Sequence, residues 1–233
     1  MFGRCMTRWL TIGAVCLFSL LSGSARAADS SESDLSAFAQ QAAGCPAEAK
    51  HCFGLKLHVV VKEDGAPVQT PEWFAHQLSQ VNRHFARIGV GFHVVDVAPL
   101  PSRFETIVSR RDRDRLGRSR FSRKVLHCFL VGHLHNVDSP GEIRGVHWRD
   151  RAKRQNRWVV LASIAPEWVL AHEIGHFFGL PHSKFADSIM NKTPRGLPWP
   201  QRSFNASEVL KMAKRLPKYL KSRRLVAIPR ENK

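Results

Sequence analysis

The stretch "AHEIGHFFGLPHS", residues 171–183, holds the side chains best suited to metal chemistry. His172 and His176 are four residues apart, so on a helix they project from one face with Cβ atoms about 6 Å apart. That separation lets both imidazoles reach one Zn²⁺ at about 2.0–2.1 Å. Gly179 can take a positive φ, which ends the helix and turns the chain back, and this reversal brings His182 to the same ion.

Glu173 follows the first of these histidines and lies beside the ion without binding it. Three protein ligands leave the fourth position of a tetrahedral zinc for water, as in catalytic sites. Zinc lowers the pKa of that water to about 7, and a carboxylate can take its proton as it attacks a polarised carbonyl. The residues therefore predict one catalytic Zn²⁺ and a hydrolytic reaction with Glu173 as general base.

The whole pattern, "HEIGHFFGLPH", resembles the metzincin metallopeptidase signature His-Glu-x-x-His-x-x-Gly-x-x-His at every fixed position. "SIM", residues 188–190, resembles the methionine turn of that family. Met190 lies eight residues after His182, and this spacing, with Ser183 directly after the third histidine, is similar to the matrixin-like branch. The resemblance implies that Met190 lies beneath the zinc and that the activity is endopeptidase cleavage of a peptide or protein substrate.

The sequence around this stretch predicts the elements that position it. A helix over residues 70–89 has Thr70 as its cap, Pro71 at its first position and Gly89 at its end, and it lies between two strand patterns, so a parallel βαβ unit is predicted. The active-site helix starts at Pro166, and a last helix is capped by Asn205 or Ser207 and interrupted at Pro217. The predicted strands are 55–63, 90–98, 125–134, 143–148 and 158–165.

The predicted fold is α+β with an α/β-type N-terminal part. It has a twisted mixed sheet of about five strands, a covering helix, an active-site helix and a C-terminal helix after the Met-turn, as the metzincin resemblance also implies. The short strand 143–148 is expected at an edge, where substrates of such enzymes bind as an added strand. His147, Trp148 and Arg195 are therefore candidates for the substrate cleft, and plain packing is the alternative for the first two.

The N-terminal sequence predicts export. Residues 1–27 have a basic start, an apolar middle and small residues before a cleavage site near Ala27, as in a signal peptide. The protein is therefore expected to be secreted, either periplasmic or extracellular, with no transmembrane anchor. The rest divides into a short segment 28–52, a catalytic domain 53–222 and a basic C-terminal tail 223–233.

The charge of the chain keeps a second hypothesis open. Lys and Arg outnumber Asp and Glu by 36 to 19, a net charge of +17, and loss of the three arginines of the signal peptide leaves +14. Such a balance favours an anionic surface or polymer as partner. The basic segments lack interleaved aromatic residues, so no specific nucleic-acid partner is expected, and the protein is expected to be a monomer. The alternative to an enzyme is a non-catalytic cationic binding protein on a metzincin scaffold, against which Glu173 argues, because zinc binding needs only the histidines.

Three cysteines remain after residue 27, namely Cys45, Cys52 and Cys128. In an oxidising compartment they predict one disulfide and one free thiol. Cys45 with Cys52 is the simplest pair, and Cys52 with Cys128 is the rival if their strands are neighbours.

Overall fold

The structure, a computed structural model, describes residues 35–42, 44–192 and 198–228. Its strands are β1 (His51–Val60), β2 (Val90–Leu100), β3 (Thr106–Ile107), β4 (Leu126–Val131), β5 (His133–Leu134), β6 (Gly145–Arg149) and β7 (Arg157–Ala162). The helices that bear on the site are α1 (Pro71–Phe85), α2 (Arg110–Arg118), α3 (Val169–Phe177) and α4 (Ala206–Lys221).

Five of the strands form one mixed sheet in the order β2-β1-β4-β7-β6. Neighbouring strands are parallel except β6, which runs antiparallel to β7 at one edge. Strands β3 and β5 pair separately as a short parallel ribbon. The predicted fold class is confirmed: a mixed sheet of five strands, a covering helix (α1), an active-site helix (α3) and a C-terminal helix (α4).

The β1–α1–β2 unit forms as its sequence predicts. The Thr70 side chain accepts a hydrogen bond from the Trp73 N–H at 3.3 Å, and α1 begins at Pro71. Gly89 ends the helical stretch with a φ of 67°, which glycine adopts without steric cost. The apolar stripe of α1 is buried in the core: Phe74, Leu78, Val81 and Phe85.

Alternate side chains of the central strands fill two cores on opposite faces of the sheet. In β4, Cys128 and Leu130 face the larger core, which α1, α3 and α4 complete. Phe129 between them faces the smaller core, with Trp158 of β7 and Leu116 of α2. Helix α2 therefore lies on the opposite side of the sheet from helix α3.

Helix α4 continues through Pro217, so the predicted interruption there was wrong. Proline removes one helical N–H and crowds the preceding turn. Packing outweighs this cost, because the helix is anchored on both sides of the proline. Met212 and Leu216 are buried in the larger core, and the Tyr219 hydroxyl donates to the Phe177 carbonyl at 2.9 Å.

The arginine-rich insertion at 102–124 contains helix α2, which the sequence analysis did not predict. A reciprocal cap starts it: the Ser109 hydroxyl accepts from the Asp112 N–H at 3.2 Å, and the Asp112 carboxylate accepts from the Ser109 N–H at 3.0 Å. Its buried face includes Gly117, where a Cβ would lie 2.5 Å from the Trp158 indole. Contact with a tryptophan, rather than a run of apolar residues, holds this helix to the sheet.

The disulfide at the start of the sheet is the simpler of the two cysteine pairings that the sequence left open. Cys45 and Cys52 form a disulfide, while Cys128 is free and buried, and burial raises the pKa of its thiol. The predicted signal peptide, 1–27, lies outside the described residues.

The predicted C-terminal tail contributes to the sheet region. The Ile228 N–H donates to the Cys52 carbonyl at 2.8 Å, and Ala227 forms an antiparallel bridge with Phe53. Within the described ranges, none of the helices combines the length and apolar character needed to cross a bilayer.

The two edges of the sheet differ. At β2, the Asn82 side chain of α1 binds both backbone groups of Phe92, donating to its carbonyl at 3.0 Å and accepting from its N–H at 2.8 Å. The Val94 N–H of the same edge donates to the Ala42 carbonyl at 3.1 Å. At β6, no other strand of the described residues pairs with the outer side.

Candidate metal centre

Helix α3 and the turn after it bring three histidines together. His172 and His176 lie one turn apart on α3, which the Gly179 N–H closes by donating to the His176 carbonyl at 2.9 Å. Gly179 has a φ of 84°, and a Cβ there would lie 1.3 Å from the Arg215 guanidinium. Glycine alone suits this turn, which returns the chain so that His182 faces the helix.

The three imidazoles each offer a nitrogen within 4.8 Å of the other two. The His172 Nδ1 lies 2.7 Å from the Ile189 carbonyl, and the His176 Nδ1 lies 2.7 Å from the Leu180 carbonyl. Because a carbonyl oxygen only accepts, both rings carry their proton on Nδ1, which leaves each Nε2 with a lone pair for a metal. The donor set and spacing fit Zn²⁺, so the predicted ligands are brought together.

Burial keeps these imidazoles neutral. It lowers the pKa of His172 to about 3, with His176 and His182 adding repulsion. Burial is also the main cause that lowers the pKa of His176 and of His182. All three are therefore unprotonated at neutral pH, which is the form that binds a metal.

Glu173 lies between α3 and β6 and is buried. Its Oε2 accepts a hydrogen bond from the His147 N–H at 2.6 Å. Burial raises the pKa of Glu173 to about 8, while the His147 N–H and the Arg113 guanidinium oppose this rise. A divalent cation beside the carboxyl would favour its ionised form further, and that is the form a general base needs.

Strand β6 forms one wall of a cleft of about 1390 Å³ that contains the three histidines. Gly145 lets this strand approach α3, because a Cβ there would lie 2.6 Å from Val169 and 3.1 Å from the Glu173 Cγ. Since the His147 N–H points outward to Glu173, the backbone groups of Gly145 and Arg149 face the same way. Such an open edge can bind an extended peptide as an added strand.

Two tryptophans form another wall, and the sequence analysis did not single them out. The indoles of Trp168 and Trp199 stack with ring centroids 3.2 Å apart, and the Arg202 guanidinium lies 4.2 Å over the Trp199 ring. Trp168 also meets His172 edge to face, at 6.0 Å. The only sequence signal for this wall was a tryptophan on either side of the histidine motif.

Met190 lies beneath α3, where a Cβ at Gly175 would come within 2.6 Å of its Sδ. Its N–H donates to the Ser188 hydroxyl at 2.9 Å, and that hydroxyl donates to the Glu208 carboxylate, 2.8 Å from Oε2. The same carboxylate accepts from the Asn205 N–H at 2.8 Å, which caps α4. Glu208 thus joins the Met-turn to α4, a role that sequence reasoning missed because the partners are distant in the chain.

The candidate cleft residues have different outcomes. His147 lines the cleft, whereas for Trp148 the alternative of plain packing holds. Side chains alternate along a strand, and Trp148 points to the other side of the sheet, where its indole N–H donates to the buried Asp114 at 2.9 Å. Arg195 lies outside the described residues.

One other group among the described residues has metal-ligand composition, namely Cys45, Cys52 and His93. Its two sulfurs are joined as a disulfide and therefore offer no thiolate. The group is left with one imidazole, and the three histidines of α3 and its turn remain the site where a metal fits.

The matrixin family model matches residues 133–208. This segment contains the three histidines, Glu173 and Met190, together with the edge strand β6. The resemblance to the metzincins is thereby confirmed for the part of the chain that carries the candidate site.

Two solved structures can be set beside this fold. Metalloproteinase II from Bacteroides fragilis has a TM-score of 0.47 at 16% identity, covering 72% of this chain and 55% of that enzyme. Archaemetzincin from Methanopyrus kandleri has a TM-score of 0.48 at 16% identity, covering 71% of this chain and 96% of that protein. The chain thus spans about half the length of the Bacteroides enzyme. No curated protein sequence matches it.

Proposed function

We propose that this chain, metzincin-like over residues 133–208, is a secreted zinc-dependent endopeptidase. The observation that carries the proposal is a set of three imidazole nitrogens within 4.8 Å of one another, in one cleft with a buried carboxylate and the edge strand β6. Secretion rests on the signal-peptide pattern of residues 1–27.

The residues of the chain divide the reaction between them. Zinc held by His172, His176 and His182 would supply a Lewis acid and a water of lowered pKa. The outer edge of β6 binds an extended peptide and places a carbonyl next to the histidines. Glu173 takes the proton of the attacking water and delivers it to the leaving amine.

The first prediction tests the general base. Glu173→Gln keeps the size of the side chain and all three imidazoles, so zinc content should equal that of the wild type. Cleavage should fall by about 10² or more, because general-base assistance supplies 10²–10⁴-fold. The measurement is metal analysis together with digestion of a peptide library. Glu167→Gln, the same change at an exposed residue just before α3, is the matched control and should leave both values unchanged.

The histidines give the contrasting result. His176→Ala and His182→Ala each remove a ligand, so zinc and cleavage should be lost together, and added zinc should restore neither fully. If Glu173→Gln cleaves as fast as the wild type, Glu173 is not the base. If the wild type holds zinc and cleaves no peptide in the library, the chain is instead the non-catalytic binding protein.

A further inference from the structure

Helix α2 and the loop 150–156 between β6 and β7 together form a strongly basic region. Residues 110–118 and 149–157 contain ten Lys or Arg and three acids. Seven cations of these two elements are exposed. Arg110 pairs with Asp138, and we call the other six the α2–hairpin surface: Arg111, Arg115, Arg118, Arg151, Lys153 and Arg154.

Two of the three acids of this region, Asp114 and Asp150, point inward and fasten the two elements together, while the third, Asp112, caps α2 and lies 3.7 Å from Arg115. Asp114 is fully buried and accepts from the Arg151 Nε at 2.7 Å and from the Trp148 indole N–H at 2.9 Å. Arg118 bridges the elements, 3.3 Å from Asp114 and 3.6 Å from the buried Asp150. The acidic groups are thus used internally, and the cations form the outer face.

Three of the surface cations form no ion pair with a carboxylate of the described residues. Among the described residues, no carboxylate lies within ion-pair distance of Arg111, Lys153 or Arg154. Exposed like charges on two adjoining elements repel one another, so this surface gains free energy from an anionic partner. Five of its six cations are arginines, whose planar forks match the two oxygens of a carboxylate.

The surface begins at the strand that lines the cleft. In β6, the His147 N–H binds Glu173 on the cleft side, while the next residue, Trp148, binds Asp114 on the α2 side. Arg149 lies at the end of the cleft, and the loop 150–156 continues directly from it. A peptide paired with the edge of β6 and running past Arg149 therefore arrives at the α2–hairpin surface.

We propose that the α2–hairpin surface binds an acidic segment of the protein substrate, on the side of the scissile bond that runs toward Arg149. This rests on the proposed peptidase function and names its substrate class: proteins with Asp- or Glu-rich stretches within a few residues of the cleaved bond. Binding of this segment adds affinity outside the cleft. The substrate residues that lie next to the three histidines can therefore vary in sequence.

Two other anionic partners fit the surface less well. Attachment to a membrane is strengthened by large apolar side chains among the cations, and the exposed ones of the described residues (Val95, Val108, Ile164, Phe185 and Leu210) lie outside the surface. Single-stranded nucleic acid would need open aromatic faces for stacking, whereas the Trp148 ring is covered by the Arg113 guanidinium at 5.1 Å.

A matched pair of triple variants tests the proposal. R111Q/K153Q/R154Q removes three unpaired charges from the α2–hairpin surface, and K211Q/K214Q/K218Q removes three exposed charges from α4, on the other side of the sheet. Both are made in the zinc-loaded Glu173→Gln protein. The probes are fluorescent peptides with a tail of about eight glutamates, roughly 26 Å when extended, or of as many glutamines.

Anisotropy should show that the glutamate tail binds about tenfold more weakly to the α2–hairpin variant, since each exposed ion pair contributes a few tenths of a kcal/mol up to about one. The α4 variant should change its affinity less than about twofold, because charges more than a Debye length away are largely screened. The peptide with the glutamine tail should bind all of these proteins with the same affinity. An equal loss in both variants overturns the proposal, because net charge alone would then explain binding.

A sulfated polysaccharide provides the competing outcome. If heparin binding is lost in the α2–hairpin variant while the glutamate tail binds unchanged, the surface binds a polysaccharide and the proposal is overturned.

Cleavage is measured separately, in variants that retain Glu173. The α2–hairpin variant should cleave neutral peptides like the wild type and acidic-tailed ones about tenfold less well in kcat/KM. A wild type that cleaves nothing overturns the proposed function, whereas anisotropy tests the surface by itself.

Discussion

Gly175 sets the distance between the active-site helix and the methionine beneath it. A Cβ at this position would lie 2.6 Å from the Met190 Sδ and 3.1 Å from the Phe204 ring, and both neighbours are buried. Gly175→Ala should therefore lower the free energy of unfolding by about 1–3 kcal/mol, as overpacking does, although alanine is the better helix former. It should also raise the rate of zinc loss to a chelator.

A double-mutant cycle separates this contact from a general effect on the helix. In a Met190→Val background the clashing sulfur is absent, so the cost of Gly175→Ala should shrink by more than about 0.5 kcal/mol, the coupling expected of residues in contact. Thermal unfolding of the four proteins provides the measurement. Strictly additive costs would show that the alanine acts elsewhere.

At the residue level, sequence predicted what depends on local spacing. His172, His176 and His182 lie within a dozen positions, and helix geometry together with the turn at Gly179 brings them to one point. Glu208 could not be found in this way, because its partner Ser188 is twenty residues away and reaches it only after α4 docks. The sequence could not decide between His147 and Trp148 for the cleft, because which side of β6 faces α3 is known only once a contact such as that of the His147 N–H with Glu173 is seen.

The Met-turn and α4 behave as one element through Ser188. Ser188→Ala would leave the buried Glu208 carboxylate without the hydroxyl that donates to it and would free the Met190 N–H. Loss of a partner from a buried charged group costs about 1–3 kcal/mol, so urea unfolding should show a drop of that size. Ser207→Ala, at the exposed first turn of the same helix, should change stability by less than about 0.5 kcal/mol. Equal effects of the two changes would contradict this link.

The sequence predicted the elements whose apolar residues repeat at a regular spacing. It did not predict those that are held by contacts with residues distant in the chain. The apolar stripe of α1 and its Thr70 and Gly89 ends gave a helix with nearly correct bounds. Helix α2 has arginines at most of its positions. It is held by the contact of Gly117 with Trp158 and by the hydrogen bonds of Asp114 to Trp148 and Arg151, which no local pattern shows. The continuation of α4 past Pro217 likewise depends on Tyr219 reaching Phe177.

The stability of the whole molecule should depend on pH through a buried histidine pair. His58 Nε2 lies 3.0 Å from His127 Nδ1, and burial is the main cause that lowers the pKa of His58 to about 3 and that of His127 to about 4. As pH falls below 6.5, the unfolded chain binds protons at these positions while the folded protein does not. The free energy of unfolding should therefore fall between pH 6.5 and about 4, by up to about 1.4 kcal/mol per pH unit for each histidine.

The variant that checks this is His58→Gln, which keeps an acceptor for the His127 Nδ1–H without a titrating group, since the His127 Nε2 accepts from the Ser122 N–H at 3.0 Å. In metal-free protein, its unfolding free energy should decline less steeply with falling pH than that of the wild type. His76→Gln, at an exposed position of α1, should leave the slope unchanged. Parallel slopes for the wild type and His58→Gln would show that the pair does not contribute.

The unequal edges of the sheet limit how copies of this protein can associate. Strand-to-strand growth into a filament needs two free edges on each molecule, one to receive a neighbour and one to offer. Asn82 occupies both backbone groups of Phe92 at the β2 edge, whereas at β6 Glu173 occupies only the His147 N–H, so β6 is the more open edge. Two copies can then meet only β6 to β6, around a two-fold axis, and that pair is closed to a third. Self-association by this route stops at a dimer, and in it each molecule covers the other's cleft.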